Sequence, residues 1–396
     1  MSESTPSRID RVMMIAGSLA VAVGFVLSLI GLPMAGGAKG IAQSYFFAFA
    51  SIATLTIGFF GLSLLHHTTR ARWGFPVLRI MEAGGGWRQI ILVVLAWIPV
   101  AFVWRKVLYP WSDPEVVAQD PVIQYKAVYL NDARWIGFSL FAFAFLVFMS
   151  YRNSMWQHKE VETGDKKWRD HRTNWSAPGM VAFFLIGNFL YTDWVMSQDP
   201  HWSSTMYGIL FIVGGMLGAL ALTSLIVGSQ AKKAPFDRVV EPWLTKDLGN
   251  LLLAGTMIWA YFSFSQYLII WSGHLPEYIP YWLRRSNNGW HLLGNMLLAT
   301  QFFIPFLLLL IPKVKRVPTL LAMVAGWILA MRFFDFQYTV VPTYREQMVF
   351  QPLDLGLLLL LLGVWAINFG NTLSRSALIV DRIPQGASQE PVIEHA

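Results

Sequence analysis

The chain has 396 residues, 55% of them hydrophobic and only 13% charged, where a soluble domain carries about 25% charged residues. That balance excludes an ordinary soluble protein and points to an integral membrane protein. The net charge of +7 does not suggest nucleic acid, because the basic residues are spread over loops that flank apolar runs. With no cysteine, the chain offers no disulfide, no thiolate metal ligand and no cysteine-held iron–sulfur cluster.

Ten apolar segments follow one another along the chain, at about 12–32, 42–65, 90–107, 135–150, 179–196, 205–228, 248–271, 292–311, 320–334 and 353–373. Each approaches the roughly 20 residues a helix needs to cross hydrocarbon, and the ninth is the shortest. The expected fold is an all-α integral membrane protein. A polar segment 1–11 precedes a membrane domain 12–373, and a tail 374–396 follows it, loose over 385–396. Helices two to five (42–196) and six to nine (205–334) are each expected to form an up-down four-helix bundle, with peripheral helices at 12–32 and 353–373. The stretch 13–32 is long enough to span rather than to be removed as a signal peptide.

An even number of spans puts both termini on one side. Loops on that side hold 21 Lys and Arg residues, and the opposite loops hold seven: Lys39, Arg105, Lys106, Lys126, Arg284, Arg285 and Arg345. The positive-inside rule makes the terminal side cytoplasmic. Arg134 and Arg332 fall at span edges. Among the 18 Trp residues, Trp87, Trp104, Trp135, Trp194, Trp243, Trp271 and Trp290 lie near span ends, where interfacial anchors belong. Gly17, Gly24 and Gly31 recur every seven residues, as do Gly356, Gly363 and Gly370. Such stripes let another helix approach closely, either within the chain or on a partner subunit. Gly214 and Gly218 repeat the pattern in span six. The Gly84-Gly85-Gly86 run reads as a flexible connector.

Ionisable residues inside spans are costly and mark function. Asp193 in span five, Gln266 in span seven, His291 and Asn295 opening span eight, and Arg332 and Asp335 closing span nine all fall in the external half. Arg332 and Asp335 share a helix face and can pair. Asp193 has no local cation, so Arg332 or His291 is its expected partner. Three roles stay open for Asp193: an ion pair that fixes helix register, a proton-handling group in an external half-channel, or a contact to a bound quinone or substrate. Asp199 and His201, with Trp202, occupy the hairpin after span five. That hairpin reads either as a turn capped by Ser204 or Thr205, or as the mouth of a proton path or a subunit contact. The cytoplasmic half is expected to be drier. Asn188 lies near mid-depth, Asn368 deeper in span ten, and His66 and His67 mark the inner end of span two. The candidate proton-transfer groups are therefore Asp193, Asp199, His201, His291, Arg332, Asp335, Gln266, His66 and His67. No histidine lies at mid-span to hold a haem, no Gly-rich loop precedes Lys-Ser/Thr, and no cluster has metal-ligand spacing.

The runs 191–208 (YTDWVMSQDPHWSSTMYG) and 259–271 (WAYFSFSQYLIIW) resemble the ActF subunits of bacterial alternative complex III, a quinol:electron-acceptor oxidoreductase, within the broader NrfD-like membrane-subunit group. The resemblance extends over most of the chain, from about Ala42 to Leu373. It implies a multi-pass subunit of the bacterial inner membrane with two four-helix bundles and no redox cofactor of its own. Its implied partners are the ActC paralogue, iron–sulfur and haem c subunits, a terminal oxidase and lipid. Quinol (menaquinol or ubiquinol) is oxidised at the external side in such complexes, with ActC the better candidate for that pocket. The implied role of this subunit is proton conduction and scaffolding, and quinone contact by this chain stays open. A stand-alone secondary transporter and a purely structural anchor are the alternatives. Transporters favour helices broken at mid-depth, and the mid-span prolines here are few (Pro99, Pro305).

Overall fold

A computed structural model describes residues 8–375. The tail over 385–396 and residues 1–7 of the leading segment lie outside the described residues. The chain is an all-α integral membrane protein, and among the described residues ten helical segments are long and apolar enough to span. We number them α1 (Ile9–Gly31), α2 (Ala38–Thr69), α3 (Trp87–Phe102), α4 (Asp132–Thr163), α5 (Lys167–Trp194), α6 (Tyr207–Gln230), α7 (Pro242–Ser272), α8 (Trp290–Leu310), α9 (Pro318–Val340) and α10 (Pro352–Leu373). A short helix, Leu78–Gly85, precedes α3.

Local chemistry sets several boundaries. Proline occupies the first turn of α7, α9 and α10, where its missing N–H is not needed. Asn131 caps α4 by accepting from Arg134 N–H at 2.9 Å. Gly164, at φ 69°, ends α4 in the left-handed region and turns the chain into α5.

The helices α2 to α5 pack in a ring, α2 against α3 and α5, and α4 against α3 and α5. A second ring forms from α6 to α9, with α6 on α7 and α9, and α8 on α7 and α9. The two bundles meet where α2 and α5 lie on α6. α2 is the most enclosed helix, with 94% of its apolar window buried. It also carries α10, which in turn carries α1.

Both glycine stripes serve that last pairing. A Cβ added at Gly24 would sit 2.5 Å from Leu360 N and 2.6 Å from Gly356 O, and one at Gly363 would sit 2.6 Å from Gly17 O. The helices therefore touch backbone to backbone, antiparallel, within one chain. The far face of α1 stays exposed, as at Ile15, Leu19 and Val26.

Three sequence expectations change. Gly84 and Gly85 do not form a flexible connector: they close a helix and are buried against Phe59 and Phe60. Trp135, Trp194 and Trp290 lie at helix ends but are wholly buried in the protein rather than facing outward as anchors, and Trp135 stacks on Trp97 with ring centroids 5.6 Å apart. Span nine is not short. The helix continues through Arg332 and Asp335 to Val340, because the two charges pair and the polar residues need not mark an exit.

Substituting leucine at Gly24 or Gly363 is expected to separate α1 from α10 at a cost of about 1–3 kcal/mol. Thermal unfolding in detergent checks this: both variants should melt earlier than wild type, and Leu19→Ala on the exposed face should not.

Candidate functional site

The first ionisable pair lies at the end of the bundle opposite Ile9 and Leu373, here called the far side. Asp193 occupies the last turn of α5 and Arg134 the first turn of α4. Arg134 Nη1 reaches Asp193 Oδ1 at 2.6 Å. The carboxylate is wholly buried while the Arg134 side chain keeps 26% exposure, so the guanidinium bridges the carboxylate to the surface. The partner is thus Arg134, a residue assigned to a span edge, and not Arg332 or His291. Trp135 Nε1 donates to the Asp193 carbonyl at 2.8 Å. The Arg134 Cζ lies 3.5 Å from the Tyr129 ring centroid, a cation–π contact, and the Tyr129 hydroxyl lies near the same carboxylate without a hydrogen bond among the described residues. Burial first, and then the Asp193 charge, push the Tyr129 phenol up to about 12. It therefore keeps its proton at neutral pH and can donate it as a hydrogen bond.

Tyr129 also lines a cavity of about 450 Å³ between the bundles. Asn188, Phe189 and Thr192 of α5 form one wall, and Gln266, Ile269 and Ile270 of α7 the other. The loop Ser203–Met206 closes the top. Ser204 Oγ bonds Gln266 Oε1 at 3.4 Å and accepts from Met206 N–H at 3.3 Å. No side chain caps α6 itself.

From Gln266 a polar thread leads inward. Gln266 and Tyr207 lie beside the Tyr281 hydroxyl. Tyr207 donates to the Thr339 carbonyl at 3.2 Å, which Arg285 Nη2 also reaches at 2.6 Å. Thr339 Oγ1 donates to the Asp335 carbonyl at 2.7 Å. Asp335 Oδ2 takes Arg332 Nη1 at 2.6 Å, the pairing their spacing predicts. Arg332 lies near the middle of α9, deeper than its expected place at a span end. Gly214 of α6 leaves the room for its guanidinium: a Cβ there would overlap Nη2. In the same bundle, α8 contains a π turn over Leu298–Phe303. Gln301 in that turn is wholly buried, and neither of its side-chain polar atoms is hydrogen-bonded among the described residues.

The remaining candidates are dispersed. Asp199 pairs with Arg284, and His201 Nε2 lies 2.6 Å from Asp120 Oδ2 on the exposed surface. Although desolvation opposes it, hydrogen bonds from His201 and from the backbone of Ile123 and Val122 hold the Asp120 carboxyl below its usual range. Trp202 is buried, stacked 4.0 Å from Tyr281, so the hairpin is fastened to its neighbours. His291 and Asn295 are exposed on the outer face of α8 and join no polar cluster among the described residues. The single crater expected from sequence is therefore two separate ion pairs flanking one cavity.

The terminal end of the first bundle, where α4 and α5 run past the bilayer length, is charged. His66 and His67, at the end of α2, join a cluster that sequence reasoning missed. His67 Nε2 lies 3.7 Å from Glu82 Oε1, and Arg79 Nη1 lies 3.4 Å from Glu82 Oε2. Arg172 and Arg169 both clasp Glu160, the latter at 2.5 Å. Arg172 is 5% exposed, and its charge is felt by Glu82 and both histidines. The available signal was Glu82 eight residues before the third apolar run. Asn368 Nδ2 donates to Gln89 Oε1 at 2.6 Å and ties α10 to α3. Among the described residues no group of three His, Asp or Glu side chains is placed to hold a metal.

No protein-family model matches the chain, and no curated protein matches it.

Arg134→Ala leaves a buried carboxylate unpaired and is expected to cost about 3–5 kcal/mol. Asp193→Asn in that background should recover much of the loss. A double-mutant cycle on denaturation midpoints checks the coupling.

Proposed function

We propose that this chain is a membrane subunit of a respiratory quinol:electron-acceptor oxidoreductase of the alternative complex III type. In this reading it carries no redox cofactor and moves protons on the far side of the membrane, which is the external side. It sits in the bacterial inner membrane with both termini cytoplasmic, beside an ActC paralogue and iron–sulfur and haem c subunits that pass electrons toward a terminal oxidase. The bias of basic residues toward the terminal loops supports this orientation, and the two sequence runs described above support the family.

One observation carries the proton role: a cavity flanked by two buried ion pairs, each with a neutral tyrosine hydroxyl near it. Tyr129 stands between the cavity and Asp193–Arg134. Gln266 and Tyr281 stand between it and Asp335–Arg332. A carboxylate inside a membrane is retained at a cost of a few kcal/mol, and a cation partner lets it stay ionised and receive a proton. Neutral phenols and amides beside it can pass a proton without adding a second charge. The bundle core around Phe60 and Phe183 is aromatic and closely packed, so the far-side groups form a half-channel rather than a continuous wire.

A transporter reading draws support from the π turn in α8, since broken helices at mid-depth mark transporter sites. It requires uptake by the chain alone in proteoliposomes.

Asp193→Asn keeps the shape and the hydrogen bond to Arg134 but removes the titrating group. In the assembled complex it is expected to lower proton-coupled quinol oxidation by about 10²-fold, the lower range for loss of an acid–base group. Native electrophoresis should find the subunits still together. Unchanged turnover and unchanged proton release in that variant would sink the proton role and leave a structural anchor.

A further inference from the structure

We propose that the cavity between α5 and α7 is a binding site for a membrane amphiphile with an uncharged, hydrogen-bonding head. The inference rests on reading this cavity as the working site of the chain, and it concerns what occupies the cavity rather than where protons go.

The lining sets the chemistry. Ser203, Ser204, Thr205, Asn188, Thr192 and Gln266 offer hydroxyl and amide groups, and among the described residues no Lys, Arg, Asp or Glu lines the cavity. Sites of about 300–1,000 Å³ with an apolar lining and a few fixed polar groups suit small organic ligands, and 450 Å³ falls in that range. Gln266 is 4% exposed and held by Ser204, so one polar wall is fixed before a ligand arrives. Asn188 Oδ1 is buried against Gly208 of α6, so the side-chain N–H of Asn188 is the group left to donate to a ligand oxygen. A phosphate headgroup would find no cation in the lining, and its burial without one is expensive.

The route of entry is apolar. α6 packs against both α5 and α7, so these two helices flank it. On α5 the exposed residues Val181, Leu185 and Phe189 recur every four positions and so form one stripe, and Phe189 lines the cavity. On α7, Ile269 is exposed and also lines it. A hydrocarbon tail can lie along the α5 stripe in contact with lipid while the head enters beneath the Ser203–Met206 loop. An isoprenoid quinol and an uncharged glycerolipid share this chemistry.

The test uses the full chain, or the complex that contains it, in nanodiscs with three photoreactive probes: an isoprenoid quinone, a diacylglycerol and a phosphatidylglycerol. Adducts are mapped by mass spectrometry. Saturable labelling at Phe189, Met196 or Met206 is expected from the quinone or the diacylglycerol, and the probe that labels identifies the source. Excess unlabelled competitor should reduce it at least fivefold. Gln266→Leu and, separately, Asn188→Leu should each reduce it by a similar factor, with labelling at Leu19 on α1 unchanged. Equal labelling by phosphatidylglycerol, or labelling that neither saturates nor responds to the variants, overturns the inference. Either outcome leaves the Asp193→Asn result to stand or fall by itself.

Discussion

A charge removed from water must be paired, and this fold is arranged around that requirement. Asp193 has Arg134, Asp335 has Arg332, and Glu160 has Arg169 and Arg172. Each pair joins segments or turns that apolar packing alone would leave free to slide. Arg134 binds the start of α4 to the end of α5. Arg332 reaches from α9 to α6, into a notch that glycine at position 214 leaves open. Bare lipid-like contact between helices is weakly directional, so these pairs add register where surface area cannot.

The two bundles use this device at different depths. In the first, ionisable groups gather at both ends, with Asp193 on the far side and the Glu82–Arg172–Glu160 cluster on the terminal side. Aromatic and small residues fill the space between. In the second, the charge sits near the middle, beside an irregular turn of α8 and the buried Gln301. The cavity lies at the seam, so a group held there addresses both bundles at once. In the proposed reading, that position, rather than the identity of any one carboxylate, makes the far side the working face.

Much of the architecture was legible in the sequence because hydrocarbon thickness imposes a length. All ten spans were read, and the i, i+3 spacing of Arg332 and Asp335 gave their pairing. Misreadings arose where depth was inferred from composition alone. Arg332 was placed at a span edge because charge normally ends an apolar run, yet a paired charge does not. Arg134 was set aside for the same reason, and with it the true partner of Asp193. Glu82, Glu160 and Arg172 stood in polar stretches that resembled loops, but α4 and α5 extend well beyond the bilayer length and bring them together. Tryptophan near a span end proved ambiguous, since Trp135 and Trp194 pack inward while Trp271 is exposed. Tyr129 lay in a long connection with nothing in its neighbourhood to distinguish it.

The embrace of α1 and α10 has a consequence for biogenesis. The glycine-lined surface of α1 has no mate until α10 leaves the ribosome. During the whole of synthesis between them, α1 must wait in the bilayer with its most adhesive side uncovered. Helix α1 therefore docks only after α10 has been made, and a chain truncated before α10 would keep both bundles yet strand α1.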